Sequence, residues 1–214
     1  MKKLESTFLN MFLSLTIISL VAGAGLALVK NFTQPKIDEA DRKNLEDAIA
    51  LVLPEGATVG EVQQVDGKNI YPATDTEGKF CAAIEVETDG FGGKVKMMVG
   101  FDAEGTLVDY SILASSETPG LGAKLDTWFK ERSDIRGAKI ADGEVKVSKD
   151  GGNYDAITAA TISSRAFMVG INDAMNTFIT VQSTFAGTAT ETTEPVAEQP
   201  SDSTLTNQTE EAQL

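Results

Sequence analysis

The chain has 214 residues with one Cys and no His, and 18 basic against 32 acidic residues give a formal net charge of −14. The lack of His excludes Ser-His-Asp and Cys-His nucleophilic machinery, and it excludes zinc and haem sites that use His ligands. A single Cys forms neither an intramolecular disulfide nor an iron–sulfur cluster of its own. The acidic balance, without a basic cluster, argues against nucleic acid as a partner.

The N-terminal segment is an uncharged apolar run from Phe8 to Val29. As a helix it spans ~33 Å, enough for a bilayer core of about 30 Å, and predicts a transmembrane anchor over 8–29. A cleaved signal peptide is the alternative, although the run is longer than a usual signal sequence. Lys2 and Lys3 favour a cytoplasmic N-terminus, residues 1–7, with the rest of the chain outside the cytoplasmic (inner) membrane.

The next segment, within residues 30–56, predicts an amphipathic linker helix over Lys36–Leu53 that Pro54 and Gly56 end. Its apolar residues share one face of the helix. They are Ile37, Ala40, Leu45, Ala48, Ile49 and Val52.

From residue 57 to 183 we predict a small α+β domain in which helices flank an antiparallel sheet. The hydropathy period falls toward two in its first half, which is typical of strands. The predicted strands are Thr58–Val65, Lys79–Glu87, Lys94–Phe101 and Thr106–Leu113. Cys81, among apolar neighbours, is expected to be a buried strand thiol. Residues 90–93, with three glycines, lie between two strands and predict a hairpin turn rather than a phosphate loop.

After the strands, Pro119, Gly120 and Gly122 predict a turn, and a short helix over Lys124–Arg132 is expected to direct Leu125, Trp128 and Phe129 inward. The segment 155–164 places Thr161 just before a second amphipathic helix. The apolar stripe predicted for that helix comprises Ile162, Phe167, Ile171, Ala174, Met175 and Phe178. Residues 184–214 hold six carboxylates and no basic residue, and predict a disordered acidic tail.

The start of that second helix is a candidate phosphate site. The first turn of a helix has unpaired N–H groups and partial positive charge. Thr161 would add a hydroxyl that can be esterified. The alternative is that the Ser and Thr residues of 158–164 only cap the helix.

Two segments resemble signatures of the FMN-binding domain family. Glu117–Gly122 reads Glu-Thr-Pro-Gly-Leu-Gly, one signature of that family, with Ser115 or Ser116 where members often carry His. The other signature is Asp-x-x-(Ser/Thr)-Gly-Ala-Thr-x-(Ser/Thr), and Ala159 stands where the family usually has Gly. The matching positions are Asp155, Thr158, Ala160, Thr161 and Ser163.

The resemblance implies FMN joined to Thr161 through a phosphoester that a separate flavin transferase makes. It implies no catalytic residue and no metal in this chain. The residues implied to bind the cofactor are Thr161, Ser163, Ser164, Thr158, Asp155, Glu117, Thr118, Gly120, Leu121 and Gly122. Leu121, Trp128 and Tyr154 are candidates to cover the flavin ring, and a plain core role suits the last two equally well.

Within this family the order of anchor, linker helix, domain and motifs resembles the G subunits of Rnf-type ion-translocating ferredoxin–NAD oxidoreductases. The C subunits of Na⁺-translocating NADH–quinone reductases are near relatives with the same layout. The implied function is a membrane-anchored flavoprotein subunit that relays electrons to and from other membrane subunits. Open alternatives are a C-type subunit, a free-standing FMN shuttle, a reversible phospho-ligand binding module and a structural subunit without flavin.

Overall fold

The computed structural model describes residues 7–188, which form an α+β fold. The helices are α1 (Phe8–Val52), α2 (Leu125–Glu131) and α3 (Thr161–Thr188). The strands are β1 (Thr58–Val59), β2 (Gln63–Val65), β3 (Lys68–Thr74), β4 (Phe80–Asp89), β5 (Lys94–Phe101) and β6 (Leu107–Ser115). The predicted fold class is confirmed, whereas residues 1–6 and 189–214 of the predicted cytoplasmic terminus and acidic tail lie outside the described residues. Residues 184–188 continue α3.

Helix α1 is a single helix of 45 residues and merges the predicted anchor and linker helices. Pro35 lies inside it, so one helical hydrogen bond is missing while the neighbouring residues stay helical. By length and composition α1 is able to cross a membrane. Only Ala48, Ile49 and Val52 of this helix are buried. Ile37 and Ala40, predicted on the packed face, are exposed, because only the last turns of α1 reach the sheet.

The sheet is antiparallel throughout, in the order β1-β3-β4-β5-β6, and β2 also pairs with β3. Strands β4, β5 and β6 match three predicted strands to within two residues at each end. The first predicted strand is instead divided into β1 and β2, and β3 was not predicted. Pro72 inside β3 explains the omission, since Pro lacks the N–H that a strand donates to its neighbour and usually argues against a strand.

The two faces of the sheet pack against different helices. Alternate residues of β4 therefore point to opposite faces. Ala82 and Ile84 belong to the apolar cluster that packs against α3, whereas Cys81 and Ala83 belong to the one that packs against the end of α1. Cys81 is fully buried, which confirms the predicted strand thiol. Burial raises the pKa of this thiol to about 11.

Helix α3 fixes the position of the loops at one end of the sheet. The Phe167 ring stacks on Phe129 of α2 with centroids 4.6 Å apart and meets Tyr110 of β6 edge-on at 4.7 Å. These contacts anchor the first turns of α3 beside the loop that leaves β6. The predicted stripe is buried from Phe167 onward, whereas Ile162, its first residue, is 53% exposed and lies outside the packed part of the helix.

Candidate functional site

The loop after β6 carries the first motif and folds back on itself. The Thr118 carbonyl accepts hydrogen bonds from the N–H groups of Leu121 (3.1 Å) and Ala123 (3.2 Å). Gly120 has a φ of +76°, a left-handed conformation that glycine adopts without strain. The turn brings Gly122 against Glu117 so closely that a Cβ atom at position 122 would collide with the Glu117 carboxylate. Glycine at this position is therefore needed for the close approach.

Glu117 joins three segments through one carboxylate, although its side chain is only 7% exposed. Its Oε1 accepts hydrogen bonds from the N–H groups of Phe91 (2.6 Å) and Gly92 (3.4 Å) in the turn between β4 and β5. Its Oε2 accepts a hydrogen bond of 2.8 Å from the Ser163 hydroxyl in the first turn of α3. The hairpin turn, the first motif and the second motif are thus connected at one buried group.

The first turn of α3 keeps its N–H groups free of side-chain caps among the described residues. The first helical hydrogen bond runs from the Ser164 N–H to the Ala160 carbonyl (3.0 Å), so the N–H groups of residues 161–163 precede the helical bonding pattern. The Ser163 hydroxyl donates to Glu117, and the Ser164 hydroxyl donates to the Ala160 carbonyl and accepts from Ile157 N–H. These hydroxyls do not cap the helix, which disfavours the capping alternative.

The backbone conformation of Ala159 explains why the family usually has glycine at this position. Its φ is +62°, and Asp66 is the one other residue besides glycine with a positive φ in the described chain. A left-handed conformation costs a residue with a Cβ atom about 1–2 kcal/mol. The chain therefore keeps the backbone that suits glycine while carrying alanine, and the loop still delivers Thr161 to the helix start.

Thr161 is half-buried at the beginning of α3, and its hydroxyl has a cationic neighbour. Lys149 Nζ donates a hydrogen bond of 3.1 Å to Thr161 Oγ1. The next residue, Asp150, accepts hydrogen bonds of 2.7 and 2.5 Å from the Arg165 guanidinium. These bonds hold the pKa of the Asp150 carboxyl below its ordinary value. The loop that carries Lys149 is thereby tied to α3.

The two motifs line one cavity of about 290 Å³. The lining residues are Phe91, Glu117, Thr118, Leu121, Gly122, Ala159, Ala160, Thr161, Ile162 and Ser163. Three large apolar side chains at this cavity face solvent: Phe91 (68% exposed), Ile162 (53%) and Leu121 (39%). The site combines a hydroxyl, a helix N-terminus and an ammonium group with this apolar rim. The polar groups suit an anionic phosphate, and the apolar rim suits a flat apolar part of the same ligand.

Six of the ten predicted cofactor-binding residues line this cavity: Glu117, Thr118, Leu121, Gly122, Thr161 and Ser163. The structure brings these together from two segments about forty residues apart in the sequence. Gly120, Thr158, Asp155 and Ser164 do not line it. Gly120 shapes the turn, Thr158 is exposed, and the Ser164 hydroxyl is bonded within the loop. A cofactor contact stays a prediction for all ten.

Asp155 and the two aromatic candidates have structural contacts away from the cavity. The Trp128 indole N–H donates to the Asp155 carbonyl (2.7 Å), and the Asp155 side chain accepts from the Ser148 hydroxyl (3.2 Å). Trp128 and Tyr154 are partly buried against the main core, which favours the core role left open for them. These contacts stabilise the loop that precedes α3.

Sequence reasoning missed three residues of the site: Phe91, Ile162 and Lys149. Phe91 was assigned to a plain turn, and a single aromatic residue among glycines carries no local signal of a binding site. Ile162 lies five residues before Phe167, which is about 140° away around a helix and off the stripe. No local pattern identifies Lys149, because its contact with Thr161 arises from tertiary folding.

The comparisons with known proteins agree with this geometry. Residues 90–176, which include both motifs, match the FMN-binding domain family. The G subunit of an ion-translocating oxidoreductase complex from Shewanella loihica is 32% identical over 191 residues, covering 79% of this chain and 89% of that protein. The chain belongs to the family of G subunits of ion-translocating oxidoreductase complexes.

Other members of this G-subunit family align over similar lengths. The protein from Vibrio vulnificus is 29% identical over 181 residues, covering 75% of this chain and 84% of its own. A crystal structure of the C subunit of Na⁺-translocating NADH-quinone reductase from Parabacteroides distasonis has a TM-score of 0.46 and 18% identity, over 66% of this chain and 81% of that one. The resemblance predicted from the two motifs is confirmed, and with it the class: a flavoprotein subunit of an ion-translocating oxidoreductase.

Proposed function

We propose that this chain carries FMN covalently, as a phosphoester of Thr161 Oγ1, and relays electrons within an Rnf-type ion-translocating ferredoxin–NAD oxidoreductase. The observation that carries the proposal is the position of Thr161. It begins α3, lines the cavity made by both motifs, and holds its hydroxyl beside the Lys149 ammonium. A phosphate at that hydroxyl meets the positive end of a helix.

The residues present fit the cofactor at both of its ends. N–H groups of the first turn of α3 would hold the phosphate, and the exposed side chains of Phe91, Leu121 and Ile162 would contact the flavin ring. Glu117 would hold the surrounding segments in place through its three hydrogen bonds. The bound flavin supplies the electron-transfer chemistry, and the protein supplies its position and environment.

The attachment and the anchor suit a protein that works at the outer face of the cytoplasmic membrane. Helix α1 would span the bilayer with Lys2 and Lys3 in the cytoplasm, which places the FMN domain outside. A cofactor held only by reversible contacts would be lost there by dilution, whereas an ester would not. The partners are then a flavin transferase during maturation and the other membrane subunits during turnover.

The decisive experiment measures the intact mass of the denatured full-length chain after coexpression with a flavin transferase. We expect a gain of one FMN less one water, located on the peptide with Thr161. Thr161→Ala should abolish the gain and Thr161→Ser should keep it. Thr180→Ala, which changes an exposed threonine of α3 outside both motifs, is the matched control that should keep it. A flavin that denaturation releases would instead support the reversible binding module. An unmodified wild-type chain beside a flavinylated control substrate would contradict the proposal.

The complex itself needs a separate readout. Purification of the flavinylated chain from membranes in mild detergent should bring the other subunits of an Rnf-type complex with it. Recovery with quinone reductase subunits would favour a C-type subunit. Recovery alone would favour a free-standing shuttle.

A further inference from the structure

Lys149 contacts Thr161 across a gap of 12 residues in the sequence. Its Nζ lies 3.1 Å from Thr161 Oγ1, and the contact is exposed to solvent. A lysine ammonium has three N–H donors and no acceptor, so one bond to the hydroxyl leaves two donors for other oxygens. A cation is therefore already placed at the atom that would carry the phosphoester.

The backbone on either side of Lys149 is held in place. Asp150 N–H donates to the Val147 carbonyl (2.8 Å), which closes a tight turn over residues 148–150. The Asp150 carboxylate receives two hydrogen bonds from Arg165, which lies one helical turn after Thr161. Two bonds from one guanidinium fix both distance and orientation. The turn thus presents Lys149 to the first turn of α3 rather than leaving it as a free surface lysine.

We propose that Lys149 is the cationic ligand of the flavin phosphate, an inference that rests on the proposed function. The transferase moves an FMN group from an activated donor, a flavin dinucleotide, to Thr161 Oγ1. The phosphoanhydride bond of the donor and the Thr161 O–H bond break, a nucleoside monophosphate and a proton leave, and the new phosphodiester carries one negative charge. The charged oxygens are covalently attached to the same phosphorus atom as Oγ1. They therefore lie close to any group that forms a hydrogen bond with Oγ1. An ammonium there stabilises the anion through charge-assisted hydrogen bonds.

The hydroxyls of Ser163 and Ser164, two predicted cofactor-binding residues, form hydrogen bonds elsewhere in the structure. The Ser163 hydroxyl donates to Glu117, and the Ser164 hydroxyl donates to the Ala160 carbonyl. The Asp150 carboxylate, the nearest acidic group in sequence, forms its ion pair with Arg165. Together with the N–H groups of α3, Lys149 accounts for recognition of the phosphate.

The test compares Lys149→Ala, Lys149→Arg and Lys146→Ala in the full-length chain. Lys146 is the matched control, since it lies three residues earlier and its Nζ pairs with Glu144. The first readout is the initial rate of FMN transfer to each chain by a purified transferase, followed by intact mass. We expect a rate about fivefold lower for Lys149→Ala, near wild type for Lys149→Arg, and within about twofold of wild type for Lys146→Ala.

The second readout separates a phosphate contact from recognition of the lysine by the transferase. Purified loaded wild-type chain and wild-type chain made without the transferase, which keeps the Thr161 hydroxyl, are treated with an amine-acetylating reagent, and each lysine is quantified by peptide mass. We expect Lys149 to be protected about threefold in the loaded chain and Lys146 to react equally in both. Protection of Lys149 that disappears in high salt would support a contact between Lys149 and the phosphate, because salt screens exposed ion pairs.

The outcomes distinguish this inference from the proposed function. If wild type is never flavinylated, both fail. If wild type is flavinylated at Thr161 while Lys149→Ala matches it in rate, or if Lys149 reacts equally in loaded and unloaded chains, the assignment of Lys149 is overturned and the proposed function stands.

Discussion

Removal of the Glu117 carboxylate tests whether one buried group holds the site together. Three donors depend on it: the Phe91 and Gly92 N–H groups and the Ser163 hydroxyl. In Glu117→Ala all three lose their acceptor. Phe91 and Gly92 are exposed residues whose N–H groups can turn to water, but Ser163 is 2% exposed and cannot.

The expected cost follows from those three bonds. A buried donor left without an acceptor costs about 1–3 kcal/mol, and each of the two solvated bonds contributes a net of about 0.5–1.5 kcal/mol. We expect Glu117→Ala to lower the free energy of unfolding by ~3 kcal/mol. Glu117→Gln keeps one acceptor oxygen for the two N–H groups, and the Ser163 hydroxyl can accept from the new amide. The loss should then be ~1 kcal/mol.

Urea unfolding of the full-length chain in detergent, followed by tryptophan fluorescence, measures both values. Trp128 is the single Trp of the chain and donates to the Asp155 carbonyl, so its emission reports on this domain and not on α1. Glu131→Ala removes an exposed carboxylate from α2 and should stay within about 0.5 kcal/mol of wild type. A Glu117→Ala chain as stable as Glu117→Gln, or as the control, would refute the role of the carboxylate.

Two further predictions concern single residues. Ala159→Gly should raise the free energy of unfolding by ~0.5 kcal/mol, since relief of the left-handed strain outweighs the extra entropy of glycine in the unfolded chain. Ala123→Gly, at an exposed position without a positive φ, should lower the free energy of unfolding. If both substitutions change the free energy of unfolding in the same direction in the urea assay, this reasoning is contradicted. The pKa of Cys81 is raised to about 11, so the thiol stays protonated at pH 8. At that pH a thiol reagent should not label Cys81 in the folded chain, whereas it should label Cys81 fully in denaturant. Labelling of the folded chain at the rate of a free thiol would show that Cys81 is accessible.

The sequence was most informative where one local pattern determines one element. Alternating apolar residues located β4, β5 and β6, and the glycine-rich turn between β4 and β5 was placed correctly. It was least informative where tertiary contacts override a local rule. Strand β3 forms despite Pro72 because β1 and β2 pair along one side of it and β4 along the other. The predicted anchor (8–29) and linker helix (Lys36–Leu53) merge in α1, although Pro35 lies between them.

The same distinction holds within the site. Each motif was recognisable alone, because its residue types are tied to a turn or a helix start. The bond between them was not, since Ser163 and Glu117 are 46 residues apart and nothing local to either predicts the other. Two predicted cofactor-binding residues, Ser163 and Ser164, use their hydroxyls to build the loop and join it to Glu117. The cation beside Thr161 then comes from a third segment, which explains why Lys149 is absent from both motifs. The proposed phosphate site, assembled from N–H groups and one distant lysine, would require few particular side chains around its threonine, so Ala159 could replace glycine as long as the left-handed turn persists.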